Sequence, residues 1–446
     1  MRAHATSASD GPGAPLAPPL PPGGLATLMS AAGAGPQPIA APRKRWRVAY
    51  VVSHPIQYQA PLLRYLTSHS AVDVTALFLS DVSCRSYRDE GFGREVEWDV
   101  DLLGGYAHEF LPTLGRSDQL TSLRPVNRGI ESALRRGNYD AVWLHGYVHP
   151  TNLRALAAAR RLDLPVLLRG ESLLLGKDPA GLKSRLRDWA LPRLLRRVDA
   201  FLAIGSANRD FYEHYGILPE RIHRVPYAVD NRRFAAQARE ATAGREGLRS
   251  KLGLEQGRAV LLYASKFSAR KRPLDVLDAL AHLHRAGEQP LPHLVMVGDG
   301  EQRDELEQRA AALPAGTVHF TGFINQTELP RYYDLCDALV LPSQYEPWGL
   351  VVNEAMCAER PVIASEAVGS GVDLIVEGQT GFRFPVGDAV ALADRIARLL
   401  ALPDRGRALG RAAAERVGTW DFAADAAGLE AALQQVVLCE STEVAA

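Results

Sequence analysis

The residues best suited to chemistry lie in one block, Pro342-Ser-Gln-Tyr-Glu346-Pro-Trp-Gly349-Leu-Val-Val-Asn-Glu354-Ala-Met356. It starts at the carboxyl end of a short apolar strand, Ala338–Leu341, and leads into a helix. Gly349 lets the backbone approach a ligand closely, and the next free N–H groups point out of the helix start, which favours anions and phosphate above all. Two carboxylates share this turn. Glu346 precedes the helix and can face a cleft, and Glu354 lies roughly one and a half turns beyond Gly349. A phosphate would repel a neighbouring carboxylate, so these two read as acceptors for sugar hydroxyls.

A second block, Tyr263-Ala-Ser265-Lys266-Phe-Ser-Ala-Arg270-Lys271-Arg272-Pro273, follows another apolar strand and precedes a helix opened by Pro273. Four cations in one loop repel each other unless an anion with several negative oxygens joins them. Lys266 and Lys271 are the anion candidates, and Arg270 and Arg272 are expected to face water. The competing reading is a solvated basic loop. Val297-Gly298-Asp299-Gly300 closes a further strand, where glycines allow a tight turn near a nucleotide. Gly322-Phe323-Ile324 closes the next and could present backbone groups to a base. For either, a turn with no ligand is the alternative. In the first half of the chain, His145 ends the strand in Trp143-Leu-His-Gly146. Arg169-Gly-Glu171 and Ser53-His54-Pro-Ile-Gln57 occupy equivalent strand ends. These three loops should line one wall. Asp99-Val-Asp101 resembles a metal-binding carboxylate pair known from an unrelated fold, but it is short and far from the phosphate signals. No metal site is expected.

The elements that must position these groups show as short, continuous apolar runs alternating with helix-period segments. Arg47–Val52, Val72–Leu79, Tyr139–Leu144, Pro165–Leu168 and Ala200–Ile204 form one series. Ala259–Tyr263, His293–Val297, Val318–Thr321, Ala338–Leu341 and Pro361–Ala364 form another. Such runs predict parallel sheets covered on both faces. The expected fold class is therefore α/β with two doubly wound domains, 45–228 and 259–418, joined by a polar linker region, 229–258. Ligands of open α/β sheets sit outside the carboxyl ends of the strands, in the cleft where the domains face. A terminal helix over 419–438 either packs simply or crosses back onto the first domain, and 439–446 is a tail. Residues 1–44, rich in Ala, Pro and Gly, read as a disordered leader or an over-long start with Met29 as the true one.

Composition narrows the function classes. The chain of 446 residues carries 51 Lys+Arg and 51 Asp+Glu, a balance that argues against nucleic acid as a partner. Four scattered cysteines read as a reducing, cytoplasmic compartment, and no apolar run reaches the ~20 residues of a membrane span. Over 182–198, Lys183, Arg185, Arg187, Arg193, Arg196 and Arg197 oppose only Asp188, with Leu186, Trp189 and Leu194 as an apolar stripe. That is either a solvated helix face or a basic amphipathic helix for peripheral contact with an anionic membrane.

With these motifs in place, the sequence resembles a retaining glycosyltransferase of the GT-B architecture, the large family 4, over nearly all of 46–438. The PS-x-x-EP-W-GLV…EAM block is close to the family signature. Lys266 stands where the family usually has arginine, and Lys271 where it has its paired lysine. Ile222–Asp230 resembles the inter-domain stretch and Thr380–Phe384 a later strand. Ala358-Glu359-Arg360 and Gly369-Ser-Gly-Val-Asp373 depart from the family pattern. The resemblance implies two Rossmann-like domains, the second holding a nucleotide-sugar donor as co-substrate and the first an acceptor. It implies that Lys266 and Lys271, with the backbone amides of Gly349, Leu350 and Val351, neutralise the donor diphosphate. Glu354 would take the ribose hydroxyls and Glu346 the donor-sugar hydroxyls, while His145 would contact the sugar. The catalytic set is then Glu346, His145 and Lys271, with Gly298, Phe323 and Ile324 near the nucleotide and His54, Gln57, Arg169 and Glu171 near the acceptor. The expected acceptor is a glycan or lipid-linked hydroxyl, in surface polysaccharide or glycoconjugate synthesis. No cofactor or metal is expected, because two lysines can substitute for a divalent cation. The alternatives are a nucleotide-sugar epimerase or phosphorylase of the same architecture, or a non-catalytic sugar-nucleotide-binding protein.

Overall fold

The computed structural model describes residues 45–115, 120–121, 123–174 and 182–443. The leader 1–44 and residues 444–446 of the tail lie outside them. The first lobe contains β1 (Trp46–Val52), β2 (Val72–Phe78), β3 (Tyr87–Asp89), β4 (Arg94–Val96), β5 (Ala107–Phe110), β6 (Thr113–Leu114), β7 (Val126–Asn127), β8 (Ala141–His145), β9 (Val166–Arg169), β10 (Ala200–Ala203) and β11 (Ile222–Arg224). The second contains β12 (Val260–Ala264), β13 (His293–Val297), β14 (Val318–Gly322), β15 (Ala338–Leu341), β16 (Val362–Ser365) and β17 (Gly381–Phe384).

The seven-stranded first sheet runs β11-β10-β9-β8-β1-β2-β5, and the six-stranded second sheet runs β14-β13-β12-β15-β16-β17. Neighbours within both are parallel. Parallel strands sandwiched by helices must be apolar on both sides, which explains the unbroken burial of Val48–Val52 and of Val260–Tyr263. In each sheet the chain order reverses beside one strand: β1 has β2 on one side and β8 on the other, and β12 has β13 and β15. Crossovers leave in opposite directions from such a point and open a crevice at the strand ends. The loops carrying His54 and His145 lie at the first crevice. The loops carrying Lys266–Lys271 and Glu346–Gly349 lie at the second.

Outside these sheets, β3 and β4 form an antiparallel hairpin, paired Tyr87 to Val96 and Asp89 to Arg94. The sequence reading did not foresee it, because three-residue strands carry too few side chains to show a period. The stretch 229–258, read as a linker region, instead folds into the helices Asn231–Ala241 and Arg245–Lys251. Phe234, Ala238 and Leu248 bury themselves with Val260 and Leu262 of β12, so the segment is part of the second lobe's core. Asp230 caps the first of these helices by accepting from the Arg233 amide.

The last helix, Phe422–Glu443, runs beyond the 419–438 span expected for it and packs on β10 and β11 of the first sheet. Phe422, Ala426, Leu429, Ala432 and Leu433 join the core that contains Val48, Trp143 and Leu202. It is fastened by a buried ion pair, Arg169 to Asp425 at 3.0 Å, with side chains 1% and 0% exposed. The same guanidinium donates to the carbonyls of Val225 and Pro226 and lies 4.5 Å from the Tyr227 ring centroid. A buried guanidinium stripped of its carboxylate is an uncompensated charge, costing about 3–5 kcal/mol. Asp425→Ala should therefore lower the stability of the whole chain by that amount in urea unfolding.

Candidate functional site

The two crevices open into one cavity of about 460 Å³. From the first lobe it is lined by His54, Gln57 and Tyr58 and by Tyr87, Asp89, Phe92 and Trp98 of the hairpin region. From the second it takes Lys266, Arg270, Lys271, Gly298, Phe323, Ile324, Val351 and Glu354. Most of the residues proposed from sequence for phosphate and nucleotide thus share one wall.

The loop after β12 is held in place by its neighbours. The amides of Ser265 and Phe267 donate to the carbonyls of Val297 and Asp299, and Gln344 N–H donates to Arg270 O at 2.9 Å. That last bond ties the loop after β12 to the loop after β15. Gly298 is glycine for a packing reason, since a Cβ there would collide with the Ser265 carbonyl. Gly349 caps the helix Leu350–Cys357 at φ +88, a left-handed value that a side chain would strain. Leu350 is half-buried beside the core, while Val351 reaches the cavity.

Both lysines carry a counter-charge. Lys271 Nζ is in direct contact with the Glu346 carboxylate, both nearly buried. Lys266 Nζ donates to Asp89 Oδ1 at 2.7 Å and lies 4.6 Å from the Phe92 ring centroid. Arg270, expected to face water, lines the cavity instead. Arg272 turns away into a two-pronged pair with Asp275 at 2.7 and 2.9 Å. Glu354 is buried and accepts from the Tyr333 hydroxyl, which also lines the cavity. Burial pushes the Glu354 carboxyl up to about 7, with the Tyr333 bond and the Arg233 charge opposing the rise.

His145 does not line this cavity. Its Nδ1 lies 2.9 Å from the Tyr50 hydroxyl, and its Nε2 lies 3.1 Å from Gln59 Nε2 and 3.2 Å from the Tyr227 hydroxyl. The Tyr227 hydroxyl donates to Glu171, which is partly exposed and, like His145, does not line the cavity. Burial opposes ionisation of Glu171, but the neighbouring His145, Tyr227 and Arg169 outweigh it and hold its carboxyl below the usual range. His54 falls to about 4, driven by burial and by His145 and His149, so it is neutral at physiological pH. Arg169 is the clear correction to the acceptor wall: it sits at the end of β9, but its guanidinium is drawn into the interior by Asp425. The Asp99/Asp101 pair also separates. Asp99 accepts from Thr327, whereas Asp101 caps its own turn through the Leu103 and Gly104 amides. Among the described residues, no group of three His, Cys, Asp or Glu is arranged to hold a metal.

Asp89, Phe92, Trp98, Tyr58 and Tyr333 are site residues that the sequence reading missed. Asp89 and Phe92 sit on a hairpin with no period and Trp98 follows it directly, and the tyrosines are indistinguishable from core aromatics until the sheets are assembled.

Comparison with known proteins follows the same division. Residues 244–416 match the family described as glycosyl transferases group 1, and residues 55–228 match the glycosyl transferase 4-like domain. The D-inositol 3-phosphate glycosyltransferase of Streptomyces bingchenggensis is 30% identical over 354 residues, covering 74% of this chain and 73% of that protein. The alpha-D-kanosaminyltransferase of Streptomyces kanamyceticus is 32% identical over 254 residues, covering 55% of this chain and 64% of that one, so the match spans under two thirds of its length. Anabaena HepE, solved in complex with UDP, superimposes with a TM-score of 0.64 at 18% identity, covering 89% of this chain and 100% of that one.

The Glu354 carboxyl generates a pH prediction. Folding raises its affinity for a proton, so the folded state loses stability relative to the unfolded one as pH climbs from about 4.5 to about 7. Glu354→Gln removes that loss. The variant should match the parent near pH 5 and exceed it by on the order of 1–3 kcal/mol at pH 8, as read from paired urea melts.

Proposed function

This chain belongs to glycosyltransferase family 4, with the two-lobed GT-B fold, and from that premise we propose that it is a retaining glycosyltransferase using a nucleotide-diphosphate sugar. The observation that carries the reading is the convergence of Lys266, Lys271, Glu354 and Val351, the last two on the helix that Gly349 begins, in one cavity facing the first lobe. The relatives named above act on sugars or bind UDP by their own descriptions, which supports the donor class.

Breaking a sugar–phosphate bond places negative charge on the leaving diphosphate and positive character on the anomeric carbon. Fixed ammonium groups and oriented amides stabilise the leaving group more in the transition state than in the ground state. Lys271 therefore exchanges Glu346 for the diphosphate when the donor enters. Glu346 is then free to accept the sugar's hydroxyls. Its backbone is anchored for this, with its amide donating to Ala367 O and its carbonyl accepting from Gly369. Glu354 accepts the ribose hydroxyls, a role that suits a buried carboxylate that lines the cavity. With the sugar between Glu346 and the first lobe, the acceptor hydroxyl attacks from the leaving-group face and the departing phosphate takes its proton. Glu171 and His54 supply the acceptor wall, and His145 stiffens it through Tyr227. Two lysines already serve the diphosphate, so added EDTA should leave the rate unchanged.

The acceptor is proposed to be a glycan or lipid-linked hydroxyl. The helix Leu182–Leu195 supports a membrane-proximal site: Leu191 and Leu195 face the core, while Arg185, Trp189, Arg193, Arg196 and Arg197 are exposed. Arg193 lies 4.2 Å from the Trp189 ring centroid. Of the expected stripe, Trp189 is exposed and Leu194 half-buried, and the Lys183 and Leu186 side chains lie outside the described residues. No described helix is long and apolar enough to cross a membrane.

Lys271→Ala and Glu346→Ala should each lower donor turnover by at least ~100-fold while leaving a cooperative melt. Near-normal transfer by both would remove the mechanism. Products formed without any acceptor would indicate an epimerase, and nucleotide binding without turnover would indicate a binding protein. Separately, the protein should float with anionic phosphatidylserine vesicles at low salt, and Trp189→Ala should weaken this. An absence of flotation at low salt would end the membrane reading.

A further inference from the structure

We infer that the β3–β4 hairpin of the first lobe is part of the donor site, and that Asp89 competes with the donor's phosphates for Lys266, setting the pocket's affinity for nucleoside diphosphates. The inference deepens the nucleotide-sugar reading of the same pocket and rests on it.

The hairpin straddles the mouth of the second sheet. On one side Asp89 holds Lys266, the first cation after β12. On the other, Phe92 and Trp98 pack edge-on against Phe323 after β14, with centroids 5.0 and 6.1 Å away. Just beyond the hairpin, Asn325 donates to Glu97 O at 2.6 Å, and the Thr327 amide donates to Asp99 at 3.1 Å. One segment of the first lobe thus covers both the cation and the aromatic that face the cavity. The approach is close: a Cβ on Gly91 would lie 2.7 Å from Lys266 Nζ, so the end of that side chain would have to shift to admit one.

A half-exposed ammonium at a phosphate site needs a counter-charge when no ligand is bound, and Asp89 supplies it. Asp89 and a phosphate oxygen are alternative partners for one cation. Lys271 faces the same choice with Glu346, but Glu346 comes from its own lobe. Asp89 comes from the opposite lobe, so a donor that takes Lys266 also releases one of the hairpin's ties across the cleft. The contacts at Asn325 and Thr327 remain to keep the hairpin in place. Each ligand that binds must therefore displace a carboxylate whose ion pair is worth about as much as other partly exposed pairs.

Asp89→Asn tests this without dismantling the turn, because the Asn side-chain oxygen can still accept from the Gly91 and Phe92 amides that Asp89 Oδ1 now holds at 2.8 and 3.0 Å. Titration calorimetry with UDP, GDP, ADP and dTDP on the full chain should show the variant binding the preferred diphosphate up to about fivefold more tightly than the parent. In a Lys266→Ala background the same substitution should change nothing. Unchanged or weaker binding by Asp89→Asn overturns the inference, and so does an equal gain in the Lys266→Ala background. Asp89→Ser, which also keeps a turn acceptor, must agree in direction. If neither the parent nor the variants bind any of the four diphosphates, the donor reading itself fails. If the parent binds and only the predicted gain is missing, the failure belongs to Asp89 alone.

Discussion

An ammonium group held at the end of a parallel strand cannot stand alone. The site is organised around that constraint. The loop after β12 must be cationic if it is to receive a multiply charged anion, yet its lysines sit where water is partly excluded. The structure resolves the conflict with removable carboxylates, Glu346 for Lys271 and Asp89 for Lys266. The pocket is therefore close to electrically neutral when empty. If the donor binds as proposed, binding becomes an exchange of partners rather than the filling of a positive hole, and repulsion among the four cations of the loop is contained in the meantime.

The second organising element is Tyr227, in the chain's passage between lobes. Its hydroxyl meets Glu171 and His145, its ring lies under Arg169, and its carbonyl accepts from Asn353 on the helix that Gly349 begins. Trp348, beside Glu346, donates its indole N–H to the same Asn353. The wall carrying Glu171 and the helix carrying Glu354 are thus referenced to one residue. Next to it, Ser206 donates to Asp373 at 2.5 Å and its amide at 2.9 Å, and Gly205 closes against Trp348, so the same seam joins the lobes along its length.

The sequence was most legible where apolar continuity and turn chemistry coincide. The strands leading to Lys266, Glu346 and His145 announce themselves as unbroken runs, and the strand-order reversals place their ends without further information. What escaped had physical reasons. The helices of 229–258 read as linker because charged residues outnumber the three apolar contacts that seat them. Asp89 ends a strand too short to show alternation and Phe92 sits in the turn after it, and their importance arises only from the lobe they meet. Arg169 misled because a strand-end cation beside glycine looks ligand-facing, whereas its partner, Asp425, lies 256 residues away in sequence. The Ala358-Glu359-Arg360 departure acquires a structural cost: Glu359 takes φ +59, and its carbonyl lies where a side chain on Gly410 would collide. That turn is tolerated because it sits behind the sheet, away from the cavity.

The terminal helix has a consequence for how this protein comes into being. One face of the first-made lobe is sealed by Phe422, Leu429 and Leu433, which leave the ribosome only after the entire second lobe has been synthesised. During that interval the apolar surface around Trp143 and Leu202 is uncovered, and Arg169 has no carboxylate to meet. Vectorial synthesis thus leaves the amino-terminal half in a waiting state that the last turns of chain complete, a window in which holdase chaperones have an obvious purchase.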